Sequence, residues 1–399
     1  MTTTTATTEI DADAALDRYL QLTAIDGISR DESAIGAAIL KHLRDAGIPK
    51  DQIAIDDAGQ KTDPPGNHGN IIVTLPGNDS LPRTMLSAHM DTVPTCLGSR
   101  PHREGDDIVS SDPATGLGAD DRAGCAAILS AIVQRQSSAG DHPPAVVVFL
   151  VQEEIGLRGA KHLDRDLVGR VDRAFNFDGS SPQRLIIGAI GGERMTIEVT
   201  GLPAHAGVAP QTGVSAIVIA ARAIAALDAD GWLGRVDRDG GTGTANIGVI
   251  HGGAATNVIT PSVQLRAEAR SHDAEFRTAI VNAIRNAFET AAADVTNDTG
   301  QSGRTDLDST VDYESFRLPD DHRSITAARQ QIEALGRTAE IEISNGGLDA
   351  NWLYRHGIES ITLGCGQRNI HTAEERLHIP DYLAAVQIAT NLLVGGAED

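Results

Sequence analysis

The chain has 399 residues, 41% hydrophobic and 22% charged, which is ordinary globular composition and length enough for two domains. It carries 41 glycines and only 3% aromatics, so its core must come from Ala, Val, Ile and Leu, which suits α/β layers. A formal net charge of −22 repels nucleic acid and anionic lipid, and neither is expected as a partner.

Residues 1–10 read as a disordered tail. Residues 12–46 are largely helical in pattern, with Ile35, Ile39, Leu40 and Leu43 spaced for one buried face. A loop rich in Gly, Pro and Asp follows over residues 57–68. Residues 71–75 and 84–87 read as strands, and residues 121–134 as a helix. Residues 145–151 are a continuous apolar run with four valines, the pattern of a strand buried on both faces. Residues 173–177 and 360–363 read as further strands. The alternation predicts an α/β domain built on a doubly wound, mostly parallel sheet.

The pattern changes near Gly191. Residues 195–200 alternate as a half-exposed strand, and residues 244–250, 263–269 and 306–316 read as strands too. Residues 214–227 and 274–292 read as helices. This predicts a small α+β domain at residues 192–316, inserted into a discontinuous domain of residues 1–191 and 317–399. Pro380 suits the first turn of a C-terminal helix that reaches Leu393, and residues 395–399 read as a frayed acidic end.

Cys96, Cys125 and Cys365 are too few and too odd in number for a disulfide framework, and are read as buried free thiols. The threonine-rich start lacks the basic and apolar regions of a signal peptide, and no apolar run is long enough to cross a bilayer. A soluble, cytoplasmic protein is expected.

Five polar clusters fall at or near the ends of predicted strands, where open α/β sheets bind ligands. Ser87-Ala88-His89-Met90-Asp91-Thr92-Val93-Pro94 offers an imidazole and a carboxylate that can accept its other ring N–H. Gly116-Leu117-Gly118-Ala119-Asp120-Asp121-Arg122-Ala123-Gly124 places two acids before a helix, where Asp is also a common cap. Val151-Gln152-Glu153-Glu154-Ile155-Gly156 ends an apolar strand with two glutamates, and the chain must turn there if both are to face one site. Phe175-Asn176-Phe177-Asp178-Gly179-Ser180 closes another strand with an acid, and Asn369-Ile370-His371-Thr372-Ala373-Glu374-Glu375 supplies a second histidine. Singly, each has a plainer reading as a surface pair, helix cap, solvated acid pair, turn aspartate or loop histidine. Together they are the ligand types expected for a pair of borderline cations about 3.5 to 4 Å apart.

In this order the clusters closely resemble the dinuclear-zinc peptidase family to which peptidase T, glutamate carboxypeptidase and aminoacylase belong. The resemblance spans nearly the whole chain, from about residue 12 to residue 393. It implies that His89 and Asp178 hold one metal, Glu154 and His371 the other, and Asp120 both. It makes Glu153 the general base, sets Asp91 to orient His89, and implies a cis bond between Asp120 and Asp121. Zinc is the implied metal, and cobalt or manganese would accept the same ligands.

The insert resembles the family's lid and dimerisation domain, which implies a homodimer. Gly201-Leu202-Pro203-Ala204-His205-Ala206-Gly207 matches the motif whose histidine reaches the partner's active site. Thr256-Asn257-Val258-Ile259 and Ala269-Arg270-Ser271-His272-Asp273 match the substrate clamp, so Asn257 and Arg270 are implied to bind substrate; a turn, and an ion pair with Asp273, are the bland readings of those two residues. Ser344-Asn345-Gly346-Gly347-Leu348-Asp349-Ala350 matches a loop beside the substrate, which adds Asp349, a residue that equally suits a helix cap.

Two departures stand out. Arg122 replaces a frequent lysine, and the segment from Pro94 to Gly116 is short where peptidase T carries a long insertion. The implied activity is cleavage of short peptides in the manner of peptidase T. A carboxypeptidase or N-acyl amino acid hydrolase would use the same chemistry, and a metal-binding homologue without turnover is the reading from another class. No Gly-x-Ser-x-Gly elbow and no nucleotide-binding glycine motif occurs.

Overall fold

A computed structural model describes residues 9–395; most of the predicted N-terminal tail and residues 396–399 of the acidic end lie outside them. The chain divides into two compact units. One comprises the chain up to Gly188, Arg317–Ser344 and the residues from Leu348 onward; the other comprises Ala189–Phe316 with Asn345–Gly347.

In the first unit a mixed sheet runs in the order Ile53–Ile55, Ile71–Leu75, Ala145–Leu150, Thr84–His89, Arg173–Phe177, Ser360–Leu363, Arg184–Ala189. The four central strands are parallel to one another. The flanking ones join antiparallel. Ala145–Leu150 and Thr84–His89 are buried at every position, as the valine-rich run requires of a strand covered on both faces. The helix Ala119–Ser137 is buried along most of its length. The single helical stretch expected over residues 12–46 is two helices, Ala12–Thr23 and Ser33–Asp45. The C-terminal helix Ile379–Val394 has Pro380 in its first turn, where the missing N–H costs nothing.

A second, small sheet has no counterpart in the sequence reading. Its order is Gln367–Arg368, Arg376–His378, Asp107–Ser110, Pro101–Glu104. It turns the short segment after Pro94 into a hairpin that pairs with the strand following His371.

The second unit is a five-stranded antiparallel sheet in the order Gly234–Arg238, Gly241–Gly252, Ser262–Ser271, Gly191–Thr200, Arg304–Tyr313. Its two longer helices are Ala216–Ala229 and Ala274–Asp294. Alternate residues such as Ile197, Val199, Val263 and Leu265 join Ile219, Ile280 and Phe288 of the helices in one core. No sequence pattern marks Gly234–Arg238 as a strand, because only Val236 of its five residues is apolar and buried. No helix among the described residues is long and apolar enough to cross a membrane. The three cysteines are buried and free.

Candidate active site

The parallel strands deliver their polar residues to one end of the sheet. His89, the last residue of Thr84–His89, is 1% exposed. Its Nε2 lies 3.1 Å from Asp120 Oδ1 and 4.0 Å from Asp178 Oδ1. Its Nδ1 faces the Asp91 backbone carbonyl at 3.1 Å and the Asp91 carboxylate at 3.4 Å. Asp91 is therefore beside His89 as expected, but its main chain approaches the ring more closely than its side chain does.

Asp120 follows Gly118, whose φ of +82° is open to glycine at little cost, and the Asp120–Asp121 peptide is cis. One Asp120 oxygen faces His89, and the other lies 3.2 Å from His371 Nε2. His371 Nε2 also lies 2.9 Å from Glu154 Oε2. Asp178 closes the neighbouring strand and is 8% exposed. The pair Glu153-Glu154 follows Gln152 at φ +55°, which is the turn the sequence demanded of this strand end. His89, Asp120 and Glu154 form one group with donor atoms within 4.8 Å of one another; His89, Asp121 and Asp178 form a second.

The charges are lopsided. Burial alone would lower the His89 pKa, yet Asp120 and Asp91 push it well above the usual imidazole value. Asp120 and Glu154 raise His371 to about 10. Burial raises Glu153 and Asp178 well above the carboxylate range, and nearby carboxylates add to the effect in both. Asp120 is held low by its two histidines against the effect of burial, and Asp91 is lowered too, chiefly by His89, again against burial. The cluster thus pulls positive charge towards itself. Imidazole and carboxylate donors that compete for protons in this way fit divalent cations, which would satisfy the same charge.

Beyond its cis bond to Asp120, the sequence gives Asp121 no role. It is fully buried, and its carboxylate takes N–H groups from Gly124 (3.0 Å), His89 (3.2 Å) and the Gln367 amide (2.8 Å). With its oxygens so engaged, it braces the strand end of His89. Ser29, Gln367 and Glu375 also support the site. Ser29 donates to Asp91 Oδ2 at 2.6 Å, and Glu375 accepts from the Gly118 and Asp120 N–H groups. No sequence signal marks Ser29 or Gln367, which reach the site from distant segments. Glu375 stood in plain view beside His371 without a cue to its partner.

Asp349 is fully buried and neither of its oxygens has a hydrogen-bond partner. Its charge acts on Glu153 and Asp178, so it stands beside the cluster. Burial raises its pKa to about 7.

The remaining expected residues belong to the second unit. His205 is exposed and pairs with Val258, while the Asn257 carbonyl accepts from Ala206 N–H at 2.9 Å, so the two loops lie side by side. Arg270 makes its ion pair with Glu268 at 3.1 Å and not with Asp273, which instead caps the helix Ala274–Asp294 through Phe276 N–H.

Comparison with known proteins fits this geometry. The profile of Peptidase family M20/M25/M40 matches residues 85–394. The uncharacterized protein YqjE of Bacillus subtilis (strain 168) is 33% identical over 385 residues, which cover 96% of this chain and 98% of YqjE. The crystal structure of a tripeptidase from Staphylococcus aureus subsp. aureus Mu50 matches with a TM-score of 0.86 and 32% identity, over 96% of this chain and 98% of that one. The structure of aminopeptidase PepT from Bacillus cereus ATCC 10987 matches with a TM-score of 0.84 and 33% identity, over 98% of this chain and 100% of that one.

Proposed function

Because the chain belongs to Peptidase family M20/M25/M40, we propose that its strand-end cluster is the two-metal centre of a hydrolase for short peptides, of the tripeptide aminopeptidase type. The observation that carries this reading is Asp120, with one oxygen 3.1 Å from His89 and the other 3.2 Å from His371. A carboxylate so placed is suited to be shared by two cations. His89 and Asp178 are assigned to one, Glu154 and His371 to the other, with zinc as the metal. Divalent cations there would polarise the scissile carbonyl and acidify a water.

The chain's own residues supply the rest. Glu153 takes the proton of the attacking water and passes it to the leaving amine. Its raised pKa, caused first by burial, makes it a stronger base than an exposed glutamate. Asp91 fixes His89. Arg270 and Asn257 are assigned to the end of the substrate, and His205 to the oxyanion in a neighbouring subunit.

A homodimer through the inserted unit is part of this reading. Gly234–Arg238 pairs only with residues 241–245 of the strand Gly241–Gly252. The remainder of that edge carries the exposed Ile250, and Val258, Val208 and Ile217 are also exposed in this unit. An unpaired strand edge with exposed apolar side chains in the same unit is usually covered.

The test is metal analysis joined to a panel of tripeptides, dipeptides and N-acyl amino acids. The expected result is two metal equivalents and release of the N-terminal residue from tripeptides. Release from the C-terminus, or preference for N-acyl amino acids, would move the assignment to those substrates. Absence of all turnover in the metal-loaded protein would make it a binding protein.

A further inference from the structure

We propose that Glu375 is a positioning residue that ties the loop of Asp120 to the hairpin of His371, and so sets how tightly the cation between those two side chains is held. The inference rests on the assignment of Asp120 and His371 as ligands.

Glu375 is 2% exposed. Its Oε2 accepts from the Gly118 N–H at 2.6 Å and from the Cys96 thiol at 3.3 Å. Its Oε1 accepts from the Asp120 N–H at 3.0 Å. A carboxylate on two backbone amides makes charge-assisted bonds, stronger than those between neutral groups. They act on the residue that bears the shared carboxylate and on the glycine whose left-handed turn presents it. The fit beside Gly116 is close. A Cβ on Gly116 would come within 2.9 Å of Cys96 Sγ and 3.2 Å of Glu375 Oε2.

The other end of the tie is the His371 loop. His371 and Asn369 hold φ values of +64° and +52°, a region unfavourable to residues with a Cβ, so the loop needs outside support to keep this form. Part of that support is the strand Arg376–His378, which pairs with Asp107–Ser110 and adds the ion pair Arg376–Asp107 at 3.1 Å. Glu375 supplies the connection that runs directly to another ligand. A cation held by His371, Glu154 and Asp120 therefore depends on Glu375 through two ligands. One held by His89 and Asp178 depends on it through Asp120 alone.

The experiment uses the full chain stripped of metal and titrated with Zn²⁺ against a competing chromophoric chelator. Glu375→Ala, Glu375→Gln and Asp120→Ala are compared with the parent, with kcat, KM and metal-free thermal unfolding measured alongside. In both Glu375 variants one of the two equivalents should bind roughly 10- to 100-fold more weakly, the usual loss when a group that supports a ligand is removed. The second should change less. Excess Zn²⁺ should restore kcat, with KM near that of the parent. Parental affinity for both equivalents overturns the inference, as does a lower metal-free Tm with both affinities intact. If Glu375→Ala does not fold, Glu375→Gln decides, since it keeps the shape and replaces one acceptor by a donor. Asp120→Ala separates the two levels: retention of both equivalents there refutes the ligand assignment itself, whereas their loss there beside intact binding in the Glu375 variants refutes only the role of Glu375.

Discussion

Asp91 Oδ1 accepts the backbone N–H of Glu153 at 3.0 Å. The same carboxylate takes the Glu154 N–H at 3.2 Å and the Ser29 hydroxyl at 2.6 Å. One buried side chain therefore stands beside the first histidine and also anchors the turn that presents the two glutamates.

This gives Asp91 a larger role than orienting a ring. Asp91→Ala should release both His89 and the turn at Glu153-Glu154, and so lower metal affinity and kcat together. A fall of about 10- to 100-fold in affinity is expected from loss of such support. Ser29→Ala removes one charge-assisted bond, worth about 1.5 to 3 kcal/mol, and should have the smaller effect with both metals kept. Metal content and kcat of the two variants check this. If Asp91→Ala binds metal as the parent does, the anchoring role is lost.

Glu153→Gln isolates the proton transfer. The variant keeps the backbone bond to Asp91 and nearly the same volume, so the metals should stay. What goes is the base, and kcat should drop by roughly 10²- to 10⁴-fold. Single-turnover rates with metal content measured on the same sample decide the matter. A variant with full metal and a parental rate would take Glu153 out of the mechanism.

The limits of the sequence follow from what each residue touches. The strands Ile71–Leu75, Arg173–Phe177 and Ser360–Leu363 are legible to the residue, since each is a short run rich in β-branched or aromatic residues set between turn and helical patterns. His89, Asp120, Glu154, Asp178 and His371 were visible as motifs, because each motif is local in the chain. The supports were not. Ser29 meets Asp91 across 62 positions, and Glu375 meets Gly118 across 257. Such pairs carry no periodicity and no spacing rule. The small sheet beside His371 is illegible in the sequence for a related reason: its strands have two to four residues each, too short to show alternation.

Metal removal should exchange cations for protons. In the metal-free protein Asp120 and Glu154 raise His371 from 6.5 to about 10. A raised folded-state value stabilises the fold fully below the unfolded value of 6.5, and that contribution fades as pH climbs through about 10. Metal binding needs the neutral ring, so uptake near neutral pH must expel the proton. Zn²⁺ addition should therefore release protons, and affinity should rise with pH below about 10. Calorimetry in buffers of different ionisation enthalpy measures the release directly. Chelation should also lower Tm, since ligand binding at 1,000 times Kd adds about 4 kcal/mol to stability. Uptake without proton release would mean that His371 is neutral before the metal arrives.

Glu32, which is not one of the assigned ligands, makes a second pH test. It is fully buried, and its Oε1 accepts from the Gln152 N–H at 3.0 Å, just ahead of the two glutamates. Its Oε2 is buried without a hydrogen-bond partner. Burial, aided by the charge of Asp91, raises its pKa from 4.5 to about 7. The native state thus keeps a proton that the unfolded chain gives up. The resulting stabilisation is complete below 4.5 and disappears as pH rises through about 7. Glu32→Gln keeps an acceptor for Gln152 and has no charge to bury. It should gain on the parent protein, by on the order of 2 to 3 kcal/mol, between pH 5 and pH 8. Urea unfolding of both proteins at the two pH values reads the difference. A constant gap would mean that Glu32 is already ionised at pH 5, held by a donor that offsets its burial.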